Sequence, residues 1–393
     1  MTNGLPNGGG QGGSFASSRE AGPGGQGAWG AYRWSSYGEA SALVSSLRSA
    51  AERAGAREAA AVDELARTIS APIRVAVKGR EGVGRSKVVQ ALAPMLAREL
   101  HFVESDLGQS QDPPEIVLHV LAAAARGADK DASKAVDNTM ACGLLNKCDT
   151  ISIPGDAGLW DQASEAAARS TRELGYPVFP AVALLATAVV DSQMFGWLQS
   201  IADADETTPP SAELFLGAGR NSPVGTAERE RLVREIGIYG LYCAFGALRL
   251  DSYRTPEALT AMLRGLSGFG PFLPCLQSLA VRARARRISE FLAKMEQAAD
   301  LGVLRDEIET ILAGAPVARL RMDAALGSGV LGESDVALVA DRPAAPRVAL
   351  GEALRFRQLG ARLADPRAAG LAWDLHVGFL RLWAEGARSG SSA

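Results

Sequence analysis

The stretch Ile73-Arg74-Val75-Ala76-Val77-Lys78-Gly79-Arg80-Glu81-Gly82-Val83-Gly84-Arg85-Ser86 decides how this chain is read. Its first five residues are a short β-branched run, which predicts a strand ended by Gly79. From Ser86 to Leu100, apolar residues return at helical spacing through Val88, Val89, Leu92, Met95 and Leu96. A glycine-rich loop between a strand and a helix lets backbone N–H groups and the helix N-terminus converge on phosphate oxygens. Gly79, Gly84, Arg85 and Ser86 keep the spacing of GxxxxG followed by a basic and a hydroxyl residue, and Gly82 adds backbone freedom between them. Ser86 would offer a hydroxyl to Mg²⁺. The departure is Arg85 in place of Lys, because a planar guanidinium does not fill the same cradle as an ammonium. Lys78 and Lys87 are neighbouring sources of charge. Taken alone, such a loop also occurs as an ordinary glycine turn.

Downstream, Phe102-Val103, Ile116 to Leu121 and Thr139 to Leu145 read as buried strands separated by loops and short helices. A helix from Leu159 to Leu174 and a strand at Val178-Phe179 complete the series. Strands alternating with helices predict a mostly parallel sheet covered on both faces. The strand at Thr139 to Leu145 runs into Asn146-Lys147-Cys148-Asp149, sixty residues after Ser86. One helix later comes Tyr176-Pro177-Val178-Phe179-Pro180-Ala181-Val182-Ala183-Leu184, a string that on composition alone reads as plain core.

In this order the elements resemble the nucleotide loops of the P-loop GTPase superfamily: the phosphate loop, the NKxD guanine motif and the short loop that meets the base. The resemblance implies GTP or GDP with Mg²⁺ as ligands. It also implies that Asp149 accepts from the guanine N1–H and 2-amino group, that Asn146 braces the loops, and that the Lys147 stem lies along the purine face. The Ala183 N–H is the expected donor to guanine O6, although Val182 stands where that loop usually carries Ser. Gly79, Gly82, Gly84, Arg85, Ser86 and Lys87 would surround the phosphates. An unpaired carboxylate against adenine would be costly, which is the source of discrimination. The family also uses a threonine on Mg²⁺ and a DxxG loop. No threonine occurs between Ser86 and Thr139, and Asp106-Leu107-Gly108-Gln109 is one residue short of DxxG. Asp106 is the expected acid for a water-mediated Mg²⁺ contact, with a solvated loop residue as the alternative.

Upstream, residues 1–30 are rich in Gly, Ser, Gln and Asn and predict a disordered tail. Trp29, Tyr32 and Trp34 are expected to pin the start of the fold. Residues 31–71 carry two helices, with Leu43, Leu47, Val62, Leu65 and Ile69 at helical spacing. The P-loop domain then occupies 72–190. Beyond it the β signal ends, and residues 191–393 predict a mainly α-helical domain with segments at Gln193–Ala204, Ala227–Leu248, Pro256–Gly265, Phe272–Ala299, Leu304–Ala313 and Gly351–Ala387. Ala325 to Arg347 reads as a surface connection. Arg234-Glu235-Ile236-Gly237-Ile238-Tyr239-Gly240 and Ser267-Gly268-Phe269 before a long helix resemble the helical segments that follow the G domain in actinobacterial dynamin-like GTPases. That resemblance implies slow or partner-dependent GTP hydrolysis, assembly with a like chain or paralogous GTPase, and peripheral contact with the inner membrane surface. The alternative is a nucleotide-free scaffold that works through its helices. Arg282, Arg284, Arg286 and Arg287 suit an anionic membrane or acidic partner, or else a solvated basic face.

The bulk composition excludes several classes. A net charge of −3 gives no basis for nucleic-acid binding. The three histidines, His101, His119 and His376, and the scattered cysteines, Cys142, Cys148, Cys243 and Cys275, lack metal-ligand spacing. The longest apolar stretch, Ile236 to Leu248, is shorter than the roughly 20 residues of a membrane span. With no apolar signal peptide, a cytoplasmic setting is expected.

Overall fold

A computed structural model describes residues 27–96, 99–104, 114–122, 124–133, 137, 140–151, 158–204, 211–218, 223–249, 253–332 and 346–390; of residues 27–39 only the backbone is described. Two N-terminal helices, α1 (Gly27–Ala54) and α2 (Ala56–Ser70), precede the first strand. Strands β1 (Ile73–Lys78), β2 (Leu100–Glu104), β3 (Ile116–Ala122), β4 (Ala141–Asn146) and β5 (Val178–Pro180) form one sheet in the order β2-β1-β3-β4-β5. Every pairing is parallel. The central strands β3 and β4 are buried almost throughout, which explains why they read as unbroken apolar runs.

One face of the sheet, through Val75, Val77, Leu118, Val120 and Leu144, packs on Val88 and Leu92 of α3 (Arg85–Leu96) and on Phe272, Leu276 and Leu279 of α11 (Phe269–Asp300). The other face, through Val117, Leu121 and Leu145, packs on α5 (Leu159–Leu174). That core continues without a break into α7 (Ser192–Asp203), α9 (Thr226–Arg249) and α10 (Pro256–Gly265). Between these lie the short helices α4 (Gly127–Ser133), α6 (Ala183–Ala186) and α8 (Ala212–Gly217). The side chains of Asp191, Ser211 and Thr255 cap α7, α8 and α10 by accepting from N–H groups three residues on.

A second core joins Leu47 and Leu65 of the N-terminal pair to Phe291 and Met295 of α11, Ile308 of α12 (Arg305–Leu312) and Leu320 of α13 (Ala315–Gly327). A third packs Met322 against Phe356, Leu375 and Phe379 of α14 (Pro346–Arg362) and α15 (Pro366–Gly390). No described helix is long and apolar enough to cross a membrane.

Two expectations change. The single helix read over Gly351–Ala387 is two, broken where Asp365 precedes Pro366 and accepts from the Arg367 N–H. Helix α13 begins inside a stretch given no helix, because its buried residues Val317, Ala318, Leu320, Met322, Ala324 and Ala325 surround it and leave no amphipathic period. Three of the four arginines on α11 have acidic partners within the chain. Arg284 reaches Glu99, Arg286 reaches Asp137, and Arg287 pairs with Glu115 while donating to the Ala71 and Pro72 carbonyls. These partners lie just before β2, β4, β3 and β1, so the cluster fastens α11 to the N-terminal edge of the sheet. The side chains of Trp29, Tyr32 and Trp34 lie outside the described residues.

Candidate functional site

The opposite, C-terminal edge carries the residues singled out by the sequence. In an open parallel sheet of this order the connections from β1 run in opposite directions, and the crevice beyond β1 and β3 is where such sheets bind ligands. The loop Gly79 to Gly84 leaves β1 at that crevice and enters α3 at Arg85. Gly82 and Gly84 take φ values of 77° and 93°, in the left-handed region where a side chain is strained. Gly84 is constrained twice, because a Cβ there would also stand 2.5 Å from Asn146 Nδ2. A Cβ at Gly79 would collide with the Val120 carbonyl oxygen on β3.

Asn146, the last residue of β4, is 3% exposed and joins two loops. Its Nδ2 donates to the Val83 carbonyl at 2.9 Å, and its Oδ1 accepts from the Ala183 N–H at 2.8 Å. One buried amide therefore ties the glycine loop to the loop after β5. Lys147 follows in a left-handed conformation, φ 61°, with an exposed side chain. Asp149 sits half-buried in the short 3₁₀ turn Cys148–Thr150. Burial raises its carboxyl above the usual aspartate value, while its own backbone N–H and the Lys147 ammonium pull it back. Cys148 is buried, donates to the Leu145 carbonyl at 2.9 Å and has its thiol pushed up to about 12, which removes it as a nucleophile.

The residues that enter α3 from the glycine loop are less uniform. Ser86 and Lys87 are exposed on the first turn of α3, and Arg85 is half-buried. Ser86 Oγ donates to Glu104 Oε2 at 3.0 Å. Glu104 ends β2, and sequence reasoning missed it because nothing local marks an acid that meets Ser86 only through sheet pairing. The acid expected instead, Asp106, lies outside the described residues, as does Gln109. The Ala183 N–H, expected to meet the base, has Asn146 as its partner.

Behind the loop lies a buried polar chain that the sequence did not announce. Arg80 Nε approaches Asp129 Oδ2 at 3.4 Å, Asp129 Oδ1 approaches His119 Nε2 at 3.4 Å, and His119 Nδ1 meets the Tyr176 hydroxyl at 2.7 Å. Both 3.4 Å contacts are within ion-pair range but lack hydrogen-bond geometry. The Arg126 N–H donates to Asp129 at 2.9 Å. Burial lowers the His119 pKa against the raising influence of Asp129.

The loop after β5 is closed over by the helical half. Ser267 supplies a carbonyl to the Val182 N–H at 2.8 Å. Gly268, φ 80°, abuts Pro180, and the α9 backbone breaks at Gly237, φ 69°, against Leu184. Tyr239 accepts from Trp160 Nε1 at 2.9 Å. No described group of three or more His, Cys, Asp or Glu residues forms a metal cluster. Comparison with protein-family models gives no match for this chain, and comparison with curated proteins gives none either.

Proposed function

We propose that the chain binds a guanine nucleotide as a P-loop GTPase-like protein of the dynamin-related sort, with slow or partner-dependent hydrolysis. The observation that carries the reading is the double role of Asn146, which holds the glycine loop and the Ala183 loop around one crevice, next to Asp149. Phosphates would meet the N–H groups of a loop in which Gly79 and Gly84 leave no room for a side chain, and α3 would add its N-terminal dipole. The Asp149 carboxylate would read the base, flanked by the exposed Lys147 stem.

The oxygen donors present suit Mg²⁺. Ser86 Oγ and the Glu104 carboxylate stand 3.0 Å apart, a hard hydroxyl–carboxylate pair of the kind that holds this ion beside phosphates. Mg²⁺, when bound, would neutralise phosphate charge there. Arg85 would supply the cation of the loop with a planar fork instead of a point charge. The absence of threonine from Lys87 to Asn138 supports binding ahead of turnover. Assembly with a like chain or a paralogous GTPase and peripheral membrane contact belong to the same reading.

A second reading, a nucleotide-free scaffold, is favoured by one observation: the Ala183 N–H already donates to Asn146. Titration of the full chain with fluorescent GDP, GTP and ATP analogues in Mg²⁺ separates the two. Guanine nucleotides binding at micromolar levels, with ATP far weaker, supports the first reading; no binding at tens of micromolar leaves the scaffold. Asp149→Asn should move preference from guanine toward xanthine, because an amide donates where the carboxylate only accepts.

A further inference from the structure

We infer that Cys142 and Cys275 form a redox pair that hydrogen peroxide closes into a disulfide, fastening α11 to β4; the inference stands apart from the nucleotide reading. The two residues come from β4 and α11, far apart in the chain. Both belong to the core between the sheet and that helix, where Cys275 packs against the cluster that holds the wholly buried Cys142. Their thiols are free and meet side chain to side chain, with Cys142 donating to the Cys275 sulfur. That contact, with burial, raises the Cys142 pKa. The same contact, helped by the Arg282 guanidinium, lowers that of Cys275 against the effect of its partial burial. Cys275 is also partly exposed. One accessible sulfur is thus held towards the thiolate beside a cation, with a sheltered thiol against it, the division of labour that thiol oxidation needs. Cys148 and Cys243 differ. Burial pushes their thiols up to about 12 and about 11, and Cys148 Sγ is engaged with the Leu145 carbonyl.

In the first step the Cys275 thiolate attacks one oxygen of hydrogen peroxide and the O–O bond breaks. Hydroxide leaves and is protonated to water, and Cys275 becomes a sulfenic acid. The Cys142 sulfur then attacks the Cys275 sulfur; the S–O bond breaks, and the departing hydroxide carries off the Cys142 proton as water. Two thiols together lose two electrons, and one peroxide is reduced to two waters. The sulfurs start in contact and close to a bond of about 2.05 Å. Such a bond closes a long loop and constrains the unfolded chain. It also fixes α11 to the strand whose last residue is Asn146.

The experiment treats the reduced full chain with equimolar hydrogen peroxide, alkylates the denatured protein, and maps its peptides by mass spectrometry without reductant. The expected product is a Cys142–Cys275 peptide pair with Cys148 and Cys243 alkylated, and dithiothreitol should restore alkylation at all four cysteines. The oxidised chain should melt about 5 °C higher than the reduced one. Cys275→Ser should form no disulfide and show no such rise. In Cys142→Ala, which keeps a small apolar residue in the core, Cys275 should stop at the sulfenic acid and be captured by dimedone. Peroxide treatment that leaves Cys142 and Cys275 both alkylatable, or that joins Cys275 to another cysteine, overturns the pair. No dimedone adduct at Cys275 in Cys142→Ala overturns its role as the attacking thiol. A Cys142–Cys275 bond without a higher melting temperature overturns the fastening of α11.

Discussion

Asn146 and Asp149 differ in what a single residue can do here. Asn146 saturates its amide on two backbone groups of different loops, both inside the protein, so its loss leaves a buried carbonyl and a buried N–H without partners. Asn146→Ala is expected to cost about 1–3 kcal/mol for each orphaned group. Urea unfolding should show the loss in the midpoint, and nucleotide affinity should fall with it; an unchanged midpoint would mean the bridge contributes nothing. In the proposed guanine site Asp149 would act through its charge. Only the ionised carboxylate can accept two guanine N–H groups, and burial holds its pKa above the ordinary 3.8. Guanine affinity is therefore expected to decline, as pH is lowered, sooner than for an exposed aspartate, and an Asp149→Asn variant should show a flat profile over the same range. In the free protein the sign is opposite: between the unfolded and the raised folded pKa the folded chain holds more protons, so stability falls as pH rises through that window. Both residues stood out in the sequence because NKxD is a local string. Glu104, Asp129 and Tyr176 did not, since each gains its partner through sheet register or helix placement 18 to 57 residues away.

At the scale of elements, the strands were legible because each is a short apolar run bounded by glycine, proline or polar residues. Strand β2 was read too short because Leu100 had been given to the preceding helix, whereas that helix ends at Leu96. Helix α13 was illegible for the reason that makes it stable, burial on nearly every side. The arginine cluster shows the limit of charge patterning: four arginines in six positions look like a surface, yet three find acids at the edge of the sheet. Arg287 is the most committed, with a forked contact to Glu115 and two carbonyls of the α2–β1 link. Lysine cannot reproduce that fork. Arg287→Lys is expected to destabilise the protein by about 1–3 kcal/mol, read as a lower thermal midpoint without loss of helical signal. A variant as stable as the wild type would show that the clasp is incidental.

For the whole molecule, the buried cores include residues from both sides of position 190. The sheet's core includes Phe272, Leu276 and Leu279, and the core on its other face runs into α7, α9 and α10. A fragment spanning 72–190 is therefore expected to lack fixed tertiary structure, visible as lost near-ultraviolet circular dichroism and poor solubility, whereas a chain extended to residue 332 should retain both. A well-ordered short fragment would show that the α/β unit stands alone. Helix α11 is what makes the two halves one object. It is 32 residues long, about 48 Å at 1.5 Å per residue. Its first turn leans on the loop that follows β5, and its far half lies among α1, α2 and α13. A tilt of about 5° at Gly268 would displace the other end of such a rod by about 4 Å, close to the width of a side-chain contact, and the Arg284, Arg286 and Arg287 pairs along its length hold it against that tilt.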